Sequence, residues 1–108
     1  QKIYFLLENH VIRLVEIYRE KDFGVNNGYR IRQVYINPSH VVCMYDDPSM
    51  SRNLKEGFLP ENLDQRQTFT RLHLNQGQSV RQMSVVGSVD ITSEKLGLSQ
   101  DNRKLLHD

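Results

Sequence analysis

At 108 residues the chain has the length of one domain, and no break in composition divides it. Its 38% hydrophobic content is low for a globular domain, with Gln, Asn and Ser in place of the missing apolar residues. Seven basic and six acidic side chains in residues 1–54, and seven of each in 55–108, leave a net charge of +1; this does not favour a polyanion partner, which usually meets a basic stripe or a pI above about 9.

In chain order, Lys2–Leu7 is rich in strand formers and mostly apolar, as for a strand covered on both faces, and Glu8–His10 reads as a turn. Residues 11–19 place Val11, Arg13, Val15, Ile17 and Arg19 on one parity, with Ile12, Leu14, Glu16 and Tyr18 on the other. The recurrence of Ile12, Val15 and Tyr18 at three also fits a helix, but the β-branched content favours a strand. A loop follows and ends in Asn26–Asn27–Gly28, a pair of residue types that supplies the positive φ a tight hairpin needs. Residues 29–36 form the next strand, Asn37–Ser39 a turn enforced by Pro38, and residues 40–46 a further strand.

From 47 to 66 the strand pattern stops, and a short helix is expected near 51–56. This insertion carries Met50, Leu54, Phe58, Leu59 and Leu63, more apolar side chains than a solvated connector needs. They are candidates for partner contact, and the alternative is that they close the open end of the core. In the last hairpin, Asn75–Gln76 suits a type I turn and Gly77 the left-handed position after it. That turn pairs residues whose numbers sum to 152, setting Leu72 opposite Val80 and Arg71 opposite Arg81. After Gly87 the chain turns helical, with Thr92 or Ser93 as cap of a turn through Leu96 and Ser99 as cap of a second, over 100–107.

Cys43, the single cysteine, lies in the apolar run VVCMY, where a buried, inert thiol is expected. His40, three residues away on the same strand, points to the other face and is no partner for it. The four histidines have no i+2 or i+4 His neighbour, so a metal site would need distant residues. Lys21–Gly24 contains Asp-Phe-Gly without any other kinase element. Adjacent Asp46 and Asp47 suit a solvated strand end better than a cation site, which needs many more oxygen ligands. No catalytic residue, cofactor or metal is therefore expected, and the chain reads as a non-enzyme. The absence of a long apolar span or leader gives the expectation of a cytoplasmic chain with no membrane partner.

The one positive electrostatic signal is basic. Arg71 and Arg81 face each other in the expected hairpin, with His73 beside them as a proton-dependent charge, and Arg30 and Arg32 share a strand face that could join them. This set is a candidate anion or nucleic-acid contact. The alternative is a group of solvated arginines whose stems cover apolar surface.

The segments YINPSHVV and TRLHLNQG, followed by a strand and a short helix, resemble the small flagellar FlbD family and related phage and bacterial proteins. The likeness covers about residues 33–97 and rests on Asn37, Pro38, Leu72, Leu74 and Gly77, which are turn and core positions. The chain departs from that family in its N-terminal β region, in the insertion at 47–66, and in Gly87–Asp90 where the family usually has a Glu-Ser-rich helix start. The resemblance implies a small, phage-like regulatory or structural accessory protein. Taken together, the expected fold is a mainly-β single domain: an antiparallel curled sheet or open barrel of five or six strands, with a short C-terminal helix. The expected function is a binding module with a protein partner, or a homo-oligomer. The alternative is a nucleic-acid-binding small barrel that uses the arginine face.

Overall fold

A computed structural model describes residues 11–20 and 28–98. It contains five strands, β1 (Ile12–Arg19), β2 (Tyr29–Ile36), β3 (Val41–Asp46), β4 (Phe69–Asn75) and β5 (Val80–Val86), and two helices, α1 (Pro48–Lys55) and α2 (Val89–Leu96). The strands form one antiparallel sheet in the order β2-β1-β5-β4-β3, curled but not closed. The strand expected at 2–7, the turn at 8–10, most of the loop before Gly28 and the helical turn at 100–107 lie outside the described residues.

The curl follows from chain reach. β2 and β3 are consecutive in sequence yet form opposite edges of the sheet. Ile36 and Val41 are joined by a single turn of 3-10 helix, Pro38–His40, so at most about 18 Å of chain separates them. In a flat sheet the edge strands alone would stand about 19 Å apart. The alternating strand directions would further put the end of β2 and the start of β3 at opposite ends. Only a strongly curled sheet brings them together. Asn37 holds the link, its side chain accepting hydrogen bonds from the Ser39 amide at 3.0 Å and the Ser39 hydroxyl at 2.8 Å.

All five strands feed one cluster on the inner face. Leu14, Ile36, Leu72, Leu74, Met83 and Val85 are buried there, joined by Val41 and Met44 of β3 and by Leu96 of α2. A second cluster lies on the outer face, where Ile17 and Phe69 pack against Met50 and Leu54 of α1 and against Leu59. The β assignment of residues 11–19 thus holds, and its double parity has a use: Leu14 and Ile17 serve different cores.

Several expectations need correction. The last hairpin pairs residues summing to 155, not 152: Leu72 faces Met83, Arg71 faces Ser84 and Arg81 faces Leu74. Its loop is Gln76–Ser79, closed by the Gln76 amide donating to the Ser79 carbonyl at 2.9 Å. Gly77 keeps its expected left-handed conformation, φ +85°. The reason is burial. The expected register would have turned Met83 and Val85 away from Leu72 and Leu74, whereas the observed one puts all four in the inner core. The helix after Gly87 is capped by Ser88, whose hydroxyl accepts from the Ile91 amide at 3.1 Å, and not by Thr92 or Ser93, which are buried inside the helix. The insertion helix starts at Pro48, three residues early, because Asp47 caps it and Pro48 is pre-set for its first turn. Cys43 is exposed, since β3 is an edge strand beyond the cover of α1.

Candidate functional site

Among the described residues each face of the sheet holds one buried carboxylate, and Arg32, Arg71 and Arg81 gather around the two. On the inner face, Glu16 of β1 lies opposite Arg32 of β2 and beside β5. Its Oε1 accepts from Arg32 Nε at 2.9 Å and sits 3.7 Å from an Arg81 guanidinium nitrogen. Arg32 also stacks over the Tyr18 ring at 4.1 Å, and hydrogen bonding to Glu16 pushes its pKa further up. Arg30 pairs with Glu20 at 2.7 Å. Strand parity therefore unites Arg30, Arg32 and Arg81 on one face.

Arg71 belongs to the other face. Its guanidinium lies 3.5 Å from Asp47, a residue only 4% exposed. Asp47 also accepts hydrogen bonds from the Ser84 hydroxyl, the Ser49 hydroxyl at 2.8 Å and the Met50 amide at 3.3 Å. Burial pushes its pKa up, but the Ser84 and Ser49 hydrogen bonds, with Arg71 and the Met50 amide, outweigh that and hold it below the usual carboxylate range. Asp46, its neighbour, is exposed. Arg71 also lines a slot of about 280 Å³ with Glu16, Tyr18, Gln82 and Ser84. The slot follows from the short β1–β5 ladder, which pairs only Glu16 with Val85 and Ile17 with Ser84.

His73 stands apart from the arginine cluster. It faces Cys43 across β3–β4, and its Nε2 meets the Tyr45 hydroxyl at 2.8 Å. Among the described residues no group of three or more His, Cys, Asp or Glu is placed to hold a metal ion.

Of the insertion residues, Met50, Leu54 and Leu59 are buried in the outer core, Leu63 is half-buried against it, and Phe58 remains 37% exposed. Phe58 lines a cleft of about 490 Å³ with Tyr29, Ile31, Leu59 and Pro60. The strands carry more exposed apolar side chains, Val42 at 62% and Tyr45 at 51% on the β3 edge, Tyr35 at 63% on the β2 edge and Val80 at 66% at the hairpin tip, and α2 carries Ile91 at 51%.

Two organising residues escaped the sequence reading: Glu16 was not a candidate, and Asp47, expected with Asp46 at a solvated strand end, is buried. Both left a signal. Asp47–Pro48 has the form of a helix cap followed by a first-turn proline, and Glu16 is an acid on the Ile12–Leu14–Tyr18 parity.

No family model, curated protein or solved structure matches the chain. Among the described residues, no helix is long and apolar enough to cross a membrane.

Proposed function

We propose that this chain is a non-enzymatic binding module that acts through protein–protein contact. It would serve as a small regulatory or structural accessory protein, as the likeness to the FlbD family over about residues 33–97 implies. The observation that carries this reading is the β3 edge, where Val42, Cys43 and Tyr45 are all exposed. An open strand edge with uncharged side chains is a template for another chain. The arginines support the same side of the choice, because Arg32, Arg71 and Arg81 are each committed to a buried carboxylate and Arg30 to Glu20.

The nucleic-acid reading keeps one favourable observation, the shared face of Arg30, Arg32 and Arg81. Salt separates the two. Phosphate contacts lose affinity steeply as salt rises, whereas an apolar edge contact is much less sensitive. The immobilised chain should retain a specific protein from source-cell lysate at low and high salt, and a Val42→Ser/Tyr45→Ser variant should lose it. Retention of nucleic acid alone, eluted by moderate salt and abolished by Arg30→Gln/Arg32→Gln/Arg81→Gln, would overturn the proposal in favour of the second reading.

A further inference from the structure

We infer that the first half of β1 is a docking edge for an extended, acidic peptide segment of a partner protein, which adds as a strand in the cleft between β1 and α2. This site is separate from the β3 edge and does not depend on it.

The seam between β1 and β5 is short. β1 pairs with β2 along its whole length, but with β5 only at Glu16–Val85 and Ile17–Ser84. The course of the chain explains the gap: β5 ends at Val86, and Ser88 then caps α2. Hydrogen-bond phase decides what the gap leaves on β1. The Glu20 amide donates to the Gly28 carbonyl at 2.7 Å, so even-numbered residues of β1 direct their backbone toward β2 and odd-numbered ones away from it. Ile17 meets Ser84 on that far side. Arg13 lies beyond the end of the ladder, and its backbone amide and carbonyl have no strand partner there among the described residues.

A cleft of about 540 Å³ opens at this place, lined by Ile12, Arg13, Leu14, Val15, Val86 and Lys95. Ligand sites commonly measure about 300–1,000 Å³. Its chemistry selects the occupant. Among the described residues that line it, only Arg13 and Lys95 are charged, and both are cations. Both are exposed, and neither enters a hydrogen bond or ion pair among the described residues. The apolar side chains suit alternate residues of an added strand, and the two cations suit its carboxylates.

The other edges fit an acidic strand less well. On β3 the Asp47 amide donates to the Phe69 carbonyl at 2.9 Å, so Met44 and Asp46 direct their backbone outward. That edge has no cation from Val41 to Asp46 and ends in an acid. On β2, Arg30 and Arg32 are already paired with Glu20 and Glu16.

The probe is a fluorescein-labelled peptide, Val-Glu-Val-Glu-Val-Glu, titrated with the full chain and followed by anisotropy. It should bind about tenfold more tightly than its Gln-for-Glu counterpart, the loss expected for two exposed ion pairs. Arg13→Glu/Lys95→Glu, both at exposed positions, should reverse the preference in favour of a Lys-for-Glu peptide. N-methylation of alternate peptide amides should abolish binding, because it removes the donors of the ladder. No binding of the parent peptide would overturn the inference, whether the cleft is taken by a second copy, by residues 1–10 or by nothing. Binding that survives N-methylation or charge reversal, or a single-stranded oligonucleotide held more tightly through the same two cations, would overturn it as well. Val42→Ser/Tyr45→Ser should leave peptide binding intact. If that variant loses the peptide, the contact lies at the β3 edge, and this inference fails while the proposed function stands.

Discussion

Asp47 joins three elements of this molecule. It caps α1, accepts from Ser84 of β5 and neutralises Arg71 of β4, so one carboxylate ties the insertion to two central strands. Asp47→Ala should cost about 3 kcal/mol in urea melts at neutral pH, from loss of the cap and of the partner of a half-buried arginine. Its pH dependence has a definite sign. A carboxyl held below its unfolded-state pKa gives its full stabilisation above that value, ordinarily about 3.9. The contribution disappears as pH falls through the lower folded value. The stability gap between the parent and Asp47→Asn should therefore be constant from pH 7 to about 5 and shrink below about pH 4. A gap that widens in acid would refute the assignment.

Two glycines permit a sharper comparison at the same scale. Both have left-handed φ, +74° at Gly28 and +85° at Gly77. A Cβ on Gly77 meets nothing within 4 Å, so Gly77→Ala should cost only the conformational penalty, about 1 kcal/mol. A Cβ on Gly28 would stand 2.4 Å from the Glu20 carbonyl oxygen, in the closing pair of the β1–β2 hairpin. Gly28→Ala should cost about 3 kcal/mol. Equal costs would mean that the β1–β2 junction is looser than described.

At the scale of elements, the strands were legible from local pattern and the register was not. The bounds of β2 follow from Gly28 before it and Asn37–Pro38 after it, signals that lie within the element's own neighbourhood. The pairing of β4 with β5 required knowing that Met83 and Val85 join Leu72 and Leu74 in one core, a long-range fact that turn chemistry around Gly77 does not encode. The insertion shows the same division. Its apolar residues were conspicuous, but only the fold reveals that Met50, Leu54 and Leu59 cover Ile17 and Phe69. Leu54→Ala should cost about 3 kcal/mol, in the usual range for a buried leucine. Replacing 49–62 with a Gly-Ser linker should abolish cooperative unfolding, because the outer core then lies open to water. A linker variant that melts like the parent would show that the outer cluster contributes little.

For the whole molecule, the curl of the sheet decides which surfaces remain. Joining β2 to β3 through one short turn draws all five strands around the inner core, while α1 and Leu59 cover the outer one. The buried acids Glu16 and Asp47 occupy Arg32, Arg71 and Arg81, three of the four arginines that strand parity and the expected hairpin left as a candidate anion site. That pairing depends on strand order and shear, which explains why the arginine cluster was only partly foreseen: Arg30 and Arg32 do join Arg81, but Arg71 does not. Among the described residues β3 pairs only with β4, and its other edge is uncharged over five residues and bears the exposed Val42 and Tyr45.

Amide hydrogen exchange on the free chain and on the chain saturated with the protein it retains tests this most directly. The outward amides of Met44 and Asp46 should be exchange-competent in the free chain and protected in the complex, with little change at Arg30, Arg32 and Arg81. Protection centred on those three arginines, with Met44 and Asp46 unchanged, would contradict the account.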